Sequence, residues 1–175
     1  TVARDVYTGP MQPSVGFASR GSVLPARGTR GLPVIAVNTP QVDVEFFRVH
    51  DDSLSDFFAA YTHNGLRESW DLDPRWGWGD RKGAPVTDIA DSVYSHRFTL
   101  DCQANERCVN YLPIQDITQL ARPGAYFAVM RRAGDLRDSY ATSVFYVSNI
   151  GLHARAYKDR LFVHAASLAD GKPLA

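Results

Sequence analysis

Cys102 and Cys108 stand in the segment DCQANERC with five residues between them. Residues of that type at that spacing have three chemical uses. They can close a small disulfide loop, which implies an oxidising compartment. They can remain two free thiols in a reducing one. They can also supply half of a zinc site, but only His50 and His96 are loose candidates for the missing ligands, and neither stands at a zinc-motif spacing. Spacing alone is compatible with either of the first two.

Other reactive residue types lack the context that chemistry needs. Asp51/Asp52 and Asp71/Asp73 lie in polar segments. On a strand the second pair would face one way, as a glycosidase pair does, but no second motif marks a cleft. Solvated loop acids are the simpler assignment. His50, His63, His96, His153 and His164 are scattered, and Ser19, Ser22 and Ser53 have no nucleophile elbow around them. No phosphate-binding loop, dinucleotide fingerprint, HExxH helix or EF-hand loop occurs. The chain is therefore expected to be no enzyme, and to hold neither cofactor nor metal. The aromatic-rich stretch LRESWDLDPRWGWGDRKGAP carries all three tryptophans. Exposed indoles stack on sugars or form protein-binding hot spots, and folded-back ones make a lid. Trp70, Trp76 and Trp78, with Arg75 placed to stack on a ring, are candidates for an interdomain or partner contact. A carbohydrate-binding or adhesive module is the alternative, and it requires exposed, coplanar indoles.

The elements that would carry these residues are short. At 175 residues the chain is one domain, or one domain and a piece of another. Its apolar fraction of 45% is that of a globular protein, and its formal net charge of +0 gives no reason to expect a nucleic-acid partner. No run of eighteen apolar residues is present. LPVIAVNT and QVDVEFFRV read as strands, the second with Val42, Val44 and Phe46 on one face, Asp43, Glu45 and Phe47 on the other, and a slip of the period after Phe46. In DDSLSDFFAAY, Leu54, Phe57, Phe58 and Tyr61 share a helical face, predicting a short helix across a sheet edge. VTDIADSVYSHRFTLD predicts a strand bent near Asp91, CVNYLPI an extended run, and QDITQLA a short helix or turn that places Leu120. RPGAYFAVMRRAG predicts a turn and a strand with Tyr126 and Ala128 opposite Phe127 and Val129. A strand follows from Ala141, then two extended runs, LHARAYKD and RLFVHAASL. Arg131 and Arg132 read as a surface pair closing a strand. Seven to nine strands with one or two short helices predict an all-β antiparallel sandwich, with a small barrel as the other architecture.

GFASRGSVLPARGTRGLPVIAVNTPQVDVEFFRV resembles the macroglobulin-type domain of the N-terminal half of bacterial alpha-2-macroglobulins. The resemblance rests on Gly16-Phe17-Ala18, GSVLP at 21–25, GLPV at 31–34, Asn38 and the strand from Val42 to Arg48. It continues through NERCVNYLPI and RPGAYFAVMRR, and VFYVSNIGLHARAYKDRLFVHAASLADGKPLA resembles a junction into a following domain of the same type. It implies a macroglobulin or fibronectin-like sandwich at 12–148, carrying an insertion at 50–86, after an extension at 1–11. Residues 149–175 would open the next domain.

The resemblance further implies a large periplasmic parent, anchored at the inner membrane as a lipoprotein, that traps a broad range of proteases. This segment would be its scaffold, with neighbouring domains as direct partners and target proteases as partners of the whole molecule. It implies no nucleic-acid partner and no membrane contact from the segment itself. The thioester of many members needs Cys-x-Glu-Gln, whereas Cys102 is followed by Gln103-Ala104-Asn105 and Cys108 by Val109-Asn110-Tyr111. An oxidising compartment favours a Cys102–Cys108 disulfide whose expected role is to pin a loop, with no redox or trapping function. In RLFVHAASL, Leu161, Val163 and Ala165 share a face, ADGKP is a turn, and the chain is expected to stop where a partner strand begins.

Overall fold

A computed structural model describes residues 9–18, 31–63, 89–135 and 140–174, together with the backbone of 22–25; of 59–63 too it describes the backbone alone. Ten strands form two facing sheets and a hairpin. The elements are β1 (Ser14–Phe17), β2 (Ser22–Pro25), β3 (Leu32–Val37), β4 (Gln41–Val49), α1 (Leu54–His63), β5 (Ala90–Thr99), β6 (Arg107–Leu112), β7 (Gly124–Arg132), β8 (Ala141–Ser148), β9 (Ile150–Ala156) and β10 (Leu161–Ser167). Among the described residues one sheet runs β1-β3-β6 and the other β2-β8-β7-β4-β5, while β9 and β10 form a separate two-stranded sheet. Pairing is antiparallel except for β2, which joins β8 in parallel, so the architecture is the expected all-β sandwich with one parallel edge.

Strict alternation builds the core between the sheets. Leu32, Val34 and Ala36 of β3 meet Val42, Val44 and Phe46 of β4 and Tyr126, Ala128 and Met130 of β7, all within 1% of complete burial. Phe46 packs edge-on against Phe98 and Phe145, and Tyr126 stacks on Phe145 at 5.4 Å. Two 3₁₀ turns, Ile114–Asp116 and Thr118–Leu120, contribute Ile114 and Leu120 to the same core, as expected of Leu120. Tyr126 also donates its hydroxyl to the Arg122 carbonyl at 2.6 Å, tying the start of β7 to the turn before it in the manner of a tyrosine corner. Burial raises its phenol pKa above the usual value.

The large sheet is apolar on its other face as well. Phe47 and Val49 of β4, Ala125, Phe127 and Val129 of β7 and Val144 of β8 form a second core beneath α1. Phe57 is fully buried there and stacks on Phe127 at 5.9 Å, while Phe47 stacks on Phe127 at 4.7 Å. Helix α1 thus lies over the face of the sheet and not across its edge. This corrects the apparent slip in β4. The register of β4 against β7 is continuous from Val42↔Arg132 to Arg48↔Tyr126. Alternation never breaks; the outer face changes from Asp43 and Glu45, in solvent, to Phe47 and Val49, under the helix.

The irregularity belongs to the partner strand, β5. Phe46 pairs with Tyr94 but Phe47 pairs with Ser92, leaving Val93 as an extra residue. Because side chains repeat every second residue, one added residue exchanges the faces. Tyr94, His96 and Phe98 follow the inner face, and Ala90 reaches the outer core. The predicted bend is therefore real but lies two residues beyond Asp91.

Candidate interdomain surface

The hairpin β9–β10 pairs over its full length, from Leu161↔Ala156 to Ser167↔Ile150. The chain reverses through Lys158-Asp159, where Tyr157 N–H donates to the Arg160 carbonyl at 2.8 Å and Arg160 bonds Asp159. At the other end the Leu168 side chain lies over Gly151. Beyond β10 the polar turn closes with Gly171 at φ 72°, and the Asp170 carboxyl is held below its usual pKa, first by the Ser167 hydroxyl and then by Lys172. The chain then returns: Ser167 N–H donates to the Lys172 carbonyl, Leu174 N–H to the Ala165 carbonyl, and Ala166 pairs with Pro173. A single bridge, at Pro173, thus forms against β10 just before Leu174, where the sequence placed the start of a partner strand.

The two faces of the hairpin differ. Ile150, Leu152 and Ala154 share one with Leu161, Val163 and Ala165, an apolar surface of sheet-core composition. Leu152 is 70% exposed, Leu161 64% and Val163 58%. A solitary two-stranded sheet is marginal in water, and this face has the alternation of a sandwich interior. The opposite face carries His153 directly across from His164, Arg155 across from Phe162, and Tyr157 edge-on to Phe162 at 5.6 Å.

Between β5 and β6, Cys102 and Cys108 are joined in a disulfide. Both are partly buried against the inner core. Asn110 holds the base of the loop: its side-chain oxygen accepts from Asp101 N–H at 2.9 Å and its amide donates to the Asp101 carbonyl at 3.2 Å. The loop's apex touches Asn38, in the turn between β3 and β4. Asn105 N–H donates to Asn38 Oδ1 at 2.6 Å, and Asn38 Nδ2 donates to Asn105 Oδ1 at 3.0 Å. Both residues have positive φ, 46° and 61°, which asparagine tolerates better than other residues with a side chain. Sequence reasoning did not foresee this pairing. The only local signal was Asn38 between a strand and the Thr39-Pro40 turn.

An open cleft of about 660 Å³ lies beside this turn, lined by Pro13, Asn38, Gln41, Arg132 and Asp135 among others. Arg132 is ion-paired with Asp135, and Arg131 lies 5.5 Å over the Tyr140 ring. The two arginines are half-buried, each with its own partner, and do not form an exposed pair. Asp51 receives Arg48 at 2.7 Å and Arg122 at 3.8 Å; His50 meets Asp91 at 3.1 Å; His96 packs between Tyr94 and Phe98. Among the described residues no group of three or more His, Cys, Asp or Glu is placed to hold a metal ion. Trp70, Trp76, Trp78 and Arg75, and the Asp71/Asp73 pair, lie outside the described residues.

A β-sandwich of this kind is the fold of macroglobulin-type domains. An Escherichia coli alpha-2-macroglobulin crystal structure spanning domains NIE-MG1 superposes with a TM-score of 0.75 at 40% identity, covering 93% of this chain and 73% of that one. The trypsin-activated E. coli protein superposes with a TM-score of 0.70 at 39% identity, over 91% of this chain and 10% of that one. The chain belongs to the bacterial alpha-2-macroglobulin MG2 domain family, whose model matches residues 16–145. It is 55% identical to an alpha-2-macroglobulin of Xylella fastidiosa (strain Temecula1) and 39% identical to that of E. coli (strain K12). Each match runs over 168 residues and 96% of this chain, which spans 10% of the length of these relatives.

Proposed function

We propose that the chain is a non-catalytic scaffold module of a protease trap. It holds neighbouring domains in register, so that a cut in a distant bait segment becomes a large movement. The observation that carries this reading is the hairpin, whose apolar face has core composition and lies open to solvent. In the parent, that face is covered by the remaining strands of a following macroglobulin-like domain, to which residues 149–175 belong. The relatives' length, ten times that of the matched segment, supports the existence of such neighbours. The disulfide supports an oxidising compartment, here the periplasm, with the parent held at the inner membrane as a lipoprotein.

Hydroxyl-radical footprinting tests the reading. Leu152, Leu161 and Val163 should be oxidised several-fold more slowly in the full-length protein than in the 175-residue chain. Equal rates would leave the hairpin without a neighbour and defeat the proposal. Osmotic-shock fractionation of the native host tests the compartment separately.

A further inference from the structure

Residues 9–13 lead into β1 alongside the disulfide loop. Met11 is bound there on both sides of its backbone: its N–H donates to Asn105 Oδ1 at 3.0 Å, and its carbonyl accepts from Asn38 Nδ2 at 2.7 Å. The side-chain oxygen of Asn105 therefore accepts from Met11 and from Asn38 together. Beyond this point the chain has separate anchors. Ser14 and the rest of β1 pair with β3, the Ser14 carbonyl accepts from the Thr39 hydroxyl at 3.2 Å, and Ala18 N–H donates to the Pro33 carbonyl.

We propose that the Cys102–Cys108 loop is a redox-dependent latch on residues 9–13, with Asn105 as the residue that positions them. The physical basis is the division of labour within the loop. Asn110 fixes Asp101, and the β3–β6 ladder fixes Cys108 opposite Ala36. Residues 103–106 between these points have one internal backbone bond, Glu106 N–H to the Gln103 carbonyl at a long 3.4 Å. Besides the Asn38 contacts of Asn105, the disulfide restricts their conformations, and a closed loop loses less entropy on ordering than an open one. A dithiol reductant would deliver two electrons and two protons to the S–S bond, leaving two thiols while closing to a disulfide itself. Asn105 then gains freedom, and the Met11 bonds weaken together. Pro13, which walls the cleft beside Asn38, is released with them.

The test is amide hydrogen exchange at Met11 in the 175-residue chain, with Ala18 as the internal reference. Asn105→Gly keeps the positive φ and deletes the acceptor; it should speed exchange at Met11 about tenfold relative to Ala18, the effect of losing one or two net hydrogen bonds. Asn105→Asp retains an acceptor oxygen and should keep Met11 protected, an outcome that a general loosening of the turn would not give. Reduction with dithiothreitol should accelerate Met11 without accelerating Ala18. The latch is overturned if Asn105→Gly leaves Met11 protected, or if the reduced, still folded chain exchanges Met11 at the oxidised rate. Should reduction unfold the chain, the redox dependence is local to nothing and falls, while the two Asn105 variants still decide the positioning role.

Discussion

Replacing Phe57 with alanine separates the two cores of the large sheet. Phe57 is completely buried and is the residue of α1 that stacks on Phe127. A Phe→Ala change at such a site costs about 3–5 kcal/mol when the surroundings stay in place. Here they need not. A ten-residue helix is marginal in water without an apolar face to bury, so α1 can leave the sheet rather than enclose a cavity. The loss is then bounded by the energy of docking the helix. The inner core between the sheets is built from other residues and persists. The expected result is loss of exchange protection at the Phe57 amide, which donates to the Ser53 carbonyl at 2.9 Å, while amides of β3 and β4 stay protected. Far-UV circular dichroism should lose its small helical component well below the main melting transition. Phe46→Ala, on the inner face, should instead lower the main transition. Equal loss of protection in α1 and in β3 after Phe57→Ala would show one cooperative core and refute the separation.

Gly31→Ala should destabilise the whole sandwich by about 3 kcal/mol or more in chemical denaturation, because Gly31 has φ 102° and a Cβ there would meet the Leu112 carbonyl oxygen at 2.0 Å. Asp43 predicts an acid dependence. Arg97, bonded to it at 2.6 and 2.8 Å, holds its carboxyl below the usual value of 3.8, with Gly134 N–H assisting. A carboxyl whose pKa is depressed by folding adds stability above its unfolded pKa and loses it as pH falls through the folded one. Urea midpoints should therefore fall on acidification below about pH 4, and the fall should be shallower in Asp43→Asn. Both partners are well exposed, so the difference is modest and shrinks in high salt.

Alternation made most of the sandwich legible. The opposed faces of β7, Tyr126 and Ala128 against Phe127 and Val129, follow from period 2 alone, as do the two arms of the terminal hairpin. What escaped was three-dimensional cover. Phe47 and Val49 looked like a broken strand because sequence does not show that a helix roofs half of the outer face. The parallel addition of β2 to β8 joins residues more than a hundred positions apart, and four residues carry no mark of strand direction. The Asn38–Asn105 clasp spans 67 positions and depends on two turn conformations, neither of which has a hydrophobic pattern. At the candidate surface, the exposed face of β9–β10 was readable residue by residue, whereas its lack of cover was a property of the whole fold.

The extra residue in β5 has a consequence for how such a domain coexists with others. Among the described residues β5 is the last strand of its sheet, ten residues long, and pairs with β4 alone. A flat edge of that length is a template on which a foreign strand can add. Val93 disrupts the edge near its middle and increases its local twist, and the exposed Asp91 and Arg97 place a charge to either side. In the many-domain parent proposed above, such edges would be brought together at high local concentration during synthesis. One inserted residue of this kind works against strand addition at the edge, and deleting Val93 is expected to raise aggregation during refolding before it lowers the stability of the folded chain.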